Sequence, residues 1–305
     1  MAKFFFPFLL WASVVFCHGI IYEAPSRRFG DQLIAYMHAK WLSYRYQLPL
    51  LYKPFIFSHE LLLEQQEKLY DERDRRSRIT LESPEEIAHY GQEDDLLFYV
   101  RYFPESPYEI SHANWWTFPI DWEDPGFISL LRASIRPKRP FSYSPLPEGR
   151  IAVAVHVRRG GGGHDPLVIQ DHWPLKFVPD SFYISQIRAL SELFPKKPLY
   201  VHLFTDDPDP EAIAHKYQKA LEGLDILFYY TARGDTCESH VLEDLFNMMR
   251  YACLIRPDSN YSIVAEKLGD YTVVISPADW KREGKEVIIL PNIKESRSGI
   301  LPGNP

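Results

Sequence analysis

Two arginines and four glycines, Arg158 to Gly163, close the apolar run IAVAVHV at Ile151–Val157. A guanidinium is a rigid fork of donors that matches phosphate. Glycines let backbone N–H groups approach an anion without side-chain obstruction. Four of the 15 glycines in the chain stand at this one place. The combination predicts a diphosphate grip at a strand end. The pattern is not G-x-G-x-x-G and is not read as a nicotinamide site.

Three other stretches carry chemistry. LYVHLFTDDPDP runs into Asp206 and Asp207, which could meet a nucleobase or ribose. Asp207-Pro208-Asp209 is formally D-x-D, the pattern of a metal–diphosphate bridge, but Asp209 before Pro210 is also a good helix cap. Pro257-Asp258-Ser259-Asn260-Tyr261-Ser262 opens a helix whose N-terminus and serine hydroxyls suit phosphate. It also spells a glycosylation sequon at Asn260, expected to be unused if the turn is an active-site turn. Arg27-Arg28-Phe29-Gly30-Asp31-Gln32 lies at the first strand-to-helix turn.

The elements that position these residues are legible as an alternation. Gly19–Pro25 reads as a strand. Leu33, Tyr36, Met37, Trp41 and Tyr44 recur at helical spacing, and Leu48–Tyr52 reads as a second strand, a βαβ opening. In the second half, strands are expected at 151–157, 199–205, 225–230, 252–256 and 272–276. Helices are expected at 181–194, 210–221, 241–251 and 262–268. The charged stretch 58–78 is expected to be an exposed helix, and Tyr102–Trp122 a loop. The proline-rich segment Ile135–Arg150 reads as a linker. The implied organisation is a leader at 1–18, one α/β domain at 19–147, a second at 148–293 and a tail at 294–305.

Composition sets the outer limits. The chain has 305 residues with 46% hydrophobic and 25% charged residues, an ordinary globular balance. The net charge of -7 argues against a broad nucleic-acid face, so anion binding must come from a local arginine cluster. Lys3 and the apolar stretch Phe4–Cys17 fit a signal peptide or an N-terminal anchor, which places the protein in the secretory pathway or cell envelope. Membrane anchoring through 1–18 is the alternative to cleavage. Cys17, Cys237 and Cys253 have no zinc spacing. Cys237 and Cys253 are expected as free thiols or as one disulfide.

These motifs, in their order, resemble those of fucosyltransferases that use GDP-fucose. His156-Val157-Arg158-Arg159 is similar to the family's H-x-R-R/H motif. FTDDP is similar to the T-D-D-P of core α1,6-fucosyltransferases, and DSNYS to their S-x-F-S phosphate turn. RRFGDQL resembles the G-x-G-N-Q opening, with Arg28 in place of a glycine and Asp31 in place of the asparagine. The four glycines and His164-Asp165 resemble the bacterial α1,6-enzymes of Nod-factor synthesis. The resemblance implies an α/β, GT-B architecture of two Rossmann-like domains facing across a cleft. It implies a GDP-sugar donor, a glycan acceptor, inversion at the anomeric carbon, and neither metal nor other cofactor. Carried over, Arg158 would hold the β-phosphate and His156 and Asp244 would approach the guanosine. Ser259, Asn260 and Ser262 would complete the phosphate turn, with Gly30, Arg159, Asp206 and Asp207 also on the donor side. Asp165 is the expected general base, with His164 and Asp171 as alternatives. A metal-dependent transferase acting through Asp207 and Asp209 is the runner-up. A degenerate nucleotide- or glycan-binding protein is the other reading. A histidine phosphatase is disfavoured, because Arg159 stands where the nucleophilic histidine is needed.

Overall fold

A computed structural model describes residues 18–23, 28–90, 95–101, 120–160, 172–231 and 241–296. The leader, the loop 102–119, Cys237 and the segment 161–171 lie outside these residues. Contacts divide the chain into two compact units. The first comprises Met1–Pro25, Ala35–Pro54 and Glu64–Ile120. The second comprises Ser26–Ile34, Phe55–Leu63 and Asp121–Pro305.

In the first unit, β1 (Gly19–Tyr22) is buried along its length. Most of helix α1 (Phe29–Tyr46) belongs to this unit, and β2 (Leu51–Tyr52) follows it. After α2 (Leu63–Gln66) come β3 (Lys68–Leu69), β4 (Ser77–Thr80) and β5 (Leu96–Val100). Strand β5 pairs in parallel with both β1 and β4. Strands β2 and β3 pair in parallel, and a parallel bridge from Ile20 to Leu50 sets β2 beside β1. The order β4-β5-β1-β2-β3 is therefore parallel throughout, as a βαβ opening requires.

The exposed helix expected over 58–78 does not form. A 3₁₀ turn, the short α2 and two short strands occupy this stretch. Its charges find partners elsewhere instead of one helical turn away. Glu67 is buried against the Lys40 ammonium at 2.6 Å and the Tyr36 hydroxyl at 2.7 Å. Arg76 holds Asp74 and reaches Asp95.

The second unit contains α3 (Pro125–Ser134) and the strand β6 (Ile151–Val157). Then come α4 (Asp180–Leu193), β7 (Leu199–Thr205), α5 (Pro210–Ala220) and β8 (Ile226–Tyr230). They are followed by α6 (Val241–Met248), β9 (Cys253–Ile255), α7 (Asn260–Leu268), β10 (Val273–Glu283) and β11 (Glu286–Glu295). The sheet order is β8-β7-β6-β9-β10-β11, parallel except for the last pair. All seven residues of β6 are buried, because the strand is central and covered on both faces. One face packs Val153, Val155 and Val157 against Phe182, Tyr183 and Ile187 of α4.

Two expectations are corrected here. Strand β10 does not stop near residue 276 but runs on into a long hairpin, turning at Gly284 with φ 61°. Segment Ile135–Arg150, read as a linker, lies within the second unit. Lys138 N donates to Glu60 O at 2.7 Å, Phe141 stacks on Phe246, and the Arg250 guanidinium lies over the Tyr143 ring.

Candidate functional site

The chain enters the second sheet at its centre and winds outward both ways. The connection from β6 goes to β7 on one side, and β9 is laid down on the other. The carboxyl ends of β6 and β9 therefore flank a topological switch point, where open α/β sheets bind ligands. Arg158, Arg159 and Gly160 leave β6 there, and Arg256 to Ser259 leave β9.

Strand register sets the first contact. Val157 pairs with Thr205, so the next residues, Arg158 and Asp206, emerge side by side. Arg158 Nη1 donates to Asp206 Oδ2 at 2.5 Å, and Arg159 N donates to Asp206 Oδ1 at 2.6 Å. Arg28 Nη1, from the start of α1, stands 3.7 Å from the same Asp206 Oδ2. Two guanidinium groups thus converge on one oxygen. Burial alone would raise the Asp206 pKa. Arg158, the N–H groups of Gly160 and Arg159, and His156 together hold it below the usual carboxylate range. Gly160 is required by this packing, since a Cβ there would lie 2.5 Å from Asp206 Oδ2.

Two helix N-termini close on the same region. Asn260 Nδ2 donates to Asp31 Oδ1 at 2.6 Å. Gly30 lies so near α7 that a Cβ on it would be 2.6 Å from Tyr261 N. Tyr261 in turn donates its hydroxyl to Val241 O at 2.6 Å, tying the start of α6 to the start of α7. Each helix start carries a partial positive charge of about half an elementary unit. Arg28 and Arg158 face the Asp206 and Asp31 carboxylates, so the formal charges of this corner balance, and its two positive helix ends favour an anion.

His156, the last residue but one of β6, is 5% exposed and edge-on to the Tyr261 ring. Its Nδ1 is buried with no hydrogen-bond partner among the described residues. Burial pushes its pKa down to about 4, aided by Arg158 and Arg256 and opposed by Asp206. The ring is therefore neutral at neutral pH.

Other expected residues fall into place differently. The Arg159 guanidinium is bonded to Asp180 at the start of α4, not to the anion corner. Asp180 also accepts from Lys216 Nζ at 2.6 Å and Tyr217 OH at 2.7 Å. Ser262 is fully buried and donates to Ser259 O at 3.2 Å. Ser259 is also buried and opens α7 without a side-chain cap bond. Asp244 lies in the first turn of α6; burial raises the Tyr143 pKa, with Glu243 and then Asp244 adding to it and Arg250 opposing. Asp207 Oδ1 accepts from Asp209 N at 2.9 Å, and Asp209 Oδ1 caps α5 through Ala212 N at 3.0 Å. Among the described residues no three His, Cys, Asp or Glu side chains gather as a metal site would require. Asp165, His164 and Asp171 lie outside the described residues. Cys253 is a buried free thiol. Asp180 was not singled out from sequence, and Asp31 and Tyr261 entered only as members of their motifs, with no role assigned. Asp31 and Asp180 share one signal, an acid in the first turn of a helix.

A second feature of this unit is a groove of about 640 Å³ lined by Arg132, Phe141, Tyr143, Phe246 and Asp270 among others. It lies beside the carboxyl end of α7, at the other end of that helix from the anion corner.

The fold and corner define a Rossmann-like α/β unit with an anion-favouring switch point. No protein-family model matches the chain, and no curated protein matches it. Solved structures with overall likeness exist. POFUT1 in complex with GDP-fucose is 12% identical over 85% of this chain and 96% of its own, with a TM-score of 0.47. An Arabidopsis thaliana FUT1 mutant in complex with GDP is 11% identical over 85% and 70%, with a TM-score of 0.48. The fucosyltransferase NodZ from Bradyrhizobium is 15% identical over 90% and 98%, with a TM-score of 0.45.

Proposed function

We propose that this chain is an inverting glycosyltransferase that transfers fucose from GDP-fucose to a hydroxyl of a glycan or glycoconjugate. The observation that carries the reading is the convergence of Arg28 and Arg158 on Asp206 Oδ2, at the switch point and beside two helix N-termini. The ordered motif resemblance supplies the donor class. The paired GT-B architecture belongs to this proposal, as does the route of the leader 1–18 into the secretory pathway or cell envelope. Among the described residues no helix is long and apolar enough to cross a membrane.

The chemistry follows from leaving-group departure. The bond from sugar to diphosphate breaks with oxocarbenium character, and negative charge grows on the β-phosphate. A phosphoryl oxygen arriving between Arg28 and Arg158 competes with Asp206 Oδ2 for both guanidinium groups. Asp206 keeps the N–H groups of Arg159 and Gly160 when it yields. The growing charge is met by donors already oriented, so little reorganisation is needed in the transition state. His156, neutral and buried behind Arg158, leaves that positive charge uncancelled without adding a cation. The acceptor proton goes to a base within hydrogen-bond reach, and Asp165 is the proposed base.

The test is calorimetric titration with GDP, UDP and ADP, with and without EDTA. Selective, chelator-insensitive GDP binding is expected. Arg158→Ala should lower transfer by about 10²–10³-fold, and the double variant Arg158→Ala with Asp206→Asn removes the stranded carboxylate so that folding is separated from catalysis. Near-normal turnover in the double variant, or no nucleotide binding by the native chain, overturns the reading.

A further inference from the structure

The first unit holds a second group of cations that the donor site does not use. Lys53 follows β2, Tyr70 follows β3, and Arg78 lies on β4. Lys53 Nζ lies 5.0 Å from the centroid of the Tyr70 ring. The Arg78 guanidinium carbon lies 5.6 Å from the same centroid, and its Nη2 is bonded to the Tyr70 hydroxyl. Lys53 and Tyr70 stand just past the carboxyl ends of the parallel strands β2 and β3, where α/β sheets present ligand groups, and the long Arg78 side chain reaches them from the second residue of β4.

The neighbouring cations show what is unusual here. Lys40 has Glu67, Arg73 has Asp71, and Arg76 has Asp74 and Asp95, all within ion-pairing distance. Lys53 and Arg78 have no such carboxylate among the described residues. Lys53 is also half-buried, and burial together with Arg78 lowers its pKa, with Glu72 and Glu23 opposing from farther away. Two like charges held on one ring, one of them partly desolvated, cost free energy that an incoming anion would return. Tyr22 fixes the loop below by donating its hydroxyl to Lys53 O at 3.1 Å. The Tyr70 hydroxyl fixes Arg78. The Lys53 backbone and the exposed Arg78 guanidinium are thus each held by one folded contact.

We propose that Lys53, Tyr70 and Arg78 bind the carboxylate or sulfate of an acidic sugar in the acceptor. The assignment to the acceptor rests on the transferase reading; the anion site itself does not.

The full-length protein is titrated in a calorimeter with glucuronate, glucose and inorganic sulfate, and separately with GDP. Glucuronate is expected to bind, sulfate to bind more weakly and glucose not to bind. Replacing both cations, Lys53→Met with Arg78→Met, keeps the apolar stems and should weaken glucuronate by about tenfold or more. GDP affinity should be unchanged, which shows that the variant is folded. Equal binding of sulfate and glucuronate reduces the site to a simple ion site and overturns the acceptor assignment. No glucuronate binding at millimolar concentration, or full binding by the double variant, overturns the site. Loss of GDP binding by the native chain with glucuronate binding intact would sink the donor reading and leave this site standing.

Discussion

Gly30→Ala tests the anion corner at its tightest point. The added Cβ would lie 2.6 Å from Tyr261 N, 2.8 Å from Tyr261 Cα and 3.1 Å from Asn260 C. Comfortable carbon contacts begin at about 3.5 Å, so the two helix starts must part by nearly 1 Å. All three atoms are backbone, so no side chain can swing away to absorb the overlap. Overpacking of this kind costs about 1–3 kcal/mol. Alanine recovers up to about 1 kcal/mol of helix propensity, less in a first turn. The expected net loss is about 1–2 kcal/mol, or a fall in Tm of roughly 2–8 °C for a unit of this size. The larger effect should be on binding. The 2.6 Å bond between Asn260 and Asp31 cannot survive a shift of that size, and Arg28 moves with the same turn. GDP affinity should fall by about tenfold or more. Thermal unfolding and calorimetric titration on the same preparation read both. A variant with native Tm and native GDP affinity would show that the helix starts are not held against each other as described.

The remaining predictions address neighbouring residues. Arg28→Gly restores the glycine of the family motif; it should weaken GDP by a few-fold to about tenfold and leave Tm nearly unchanged, and unchanged GDP affinity would remove Arg28 from the site. His156 has its folded pKa depressed to about 4, below the unfolded value of about 6.5. The unfolded chain therefore takes the proton first, so its neutral burial costs nothing above pH 6.5 and about 3 kcal/mol of stability by pH 4. Urea unfolding of His156→Leu should show a flatter loss across that window, while the depressed carboxylates Asp206, Asp180 and Glu266 act with the same sign only at lower pH. Arg159→Ala should destabilise the second unit by about 1–2 kcal/mol, the loss of one charged hydrogen bond while Asp180 keeps Lys216 and Tyr217, with nucleotide preference retained; a stable variant with lost GDP selectivity would move Arg159 to the ligand. Burial pushes the Cys253 thiol up to about 12, so it should resist alkylation until the chain unfolds, and rapid native labelling would contradict its burial.

Legibility in the sequence followed how local the determining physics was. Strands β6 and β7 appear at the bounds expected from their apolar runs, because a central parallel strand buries every residue and so leaves no ambiguity of phase. Asp209 as a cap and Pro210 as the first residue of α5 are decided within four residues of chain. The charged segment 58–78 was misread because a charge pattern at helical spacing does not say which partner wins. Glu67 is claimed by Lys40 and Tyr36 from α1, contacts that depend on where α1 lies. The strand expected over 272–276 runs on past Ser276. The register shift between Pro277 and Asp279 lets the hairpin continue, and the Gly284 turn was the signal available for it.

The arginine pair shows the same division within one site. Both residues read alike in sequence, side by side at a strand end. Alternation in an extended backbone sends successive side chains to opposite faces, so one arginine was always going to point away from the other. Register decides which faces which: Val157 opposite Thr205 gives Arg158 to Asp206, and Arg159 reaches Asp180 at the start of the covering helix α4. The first bond lies at the open end of the sheet, where an anion can compete for it. The second fastens Arg159 to the start of α4. An anion corner needs both, because a guanidinium can be yielded to a ligand only from a loop that something else keeps in place. On the proposed reading the doubled arginine is one ligand group and its support, and substitution at the two positions should separate binding from stability.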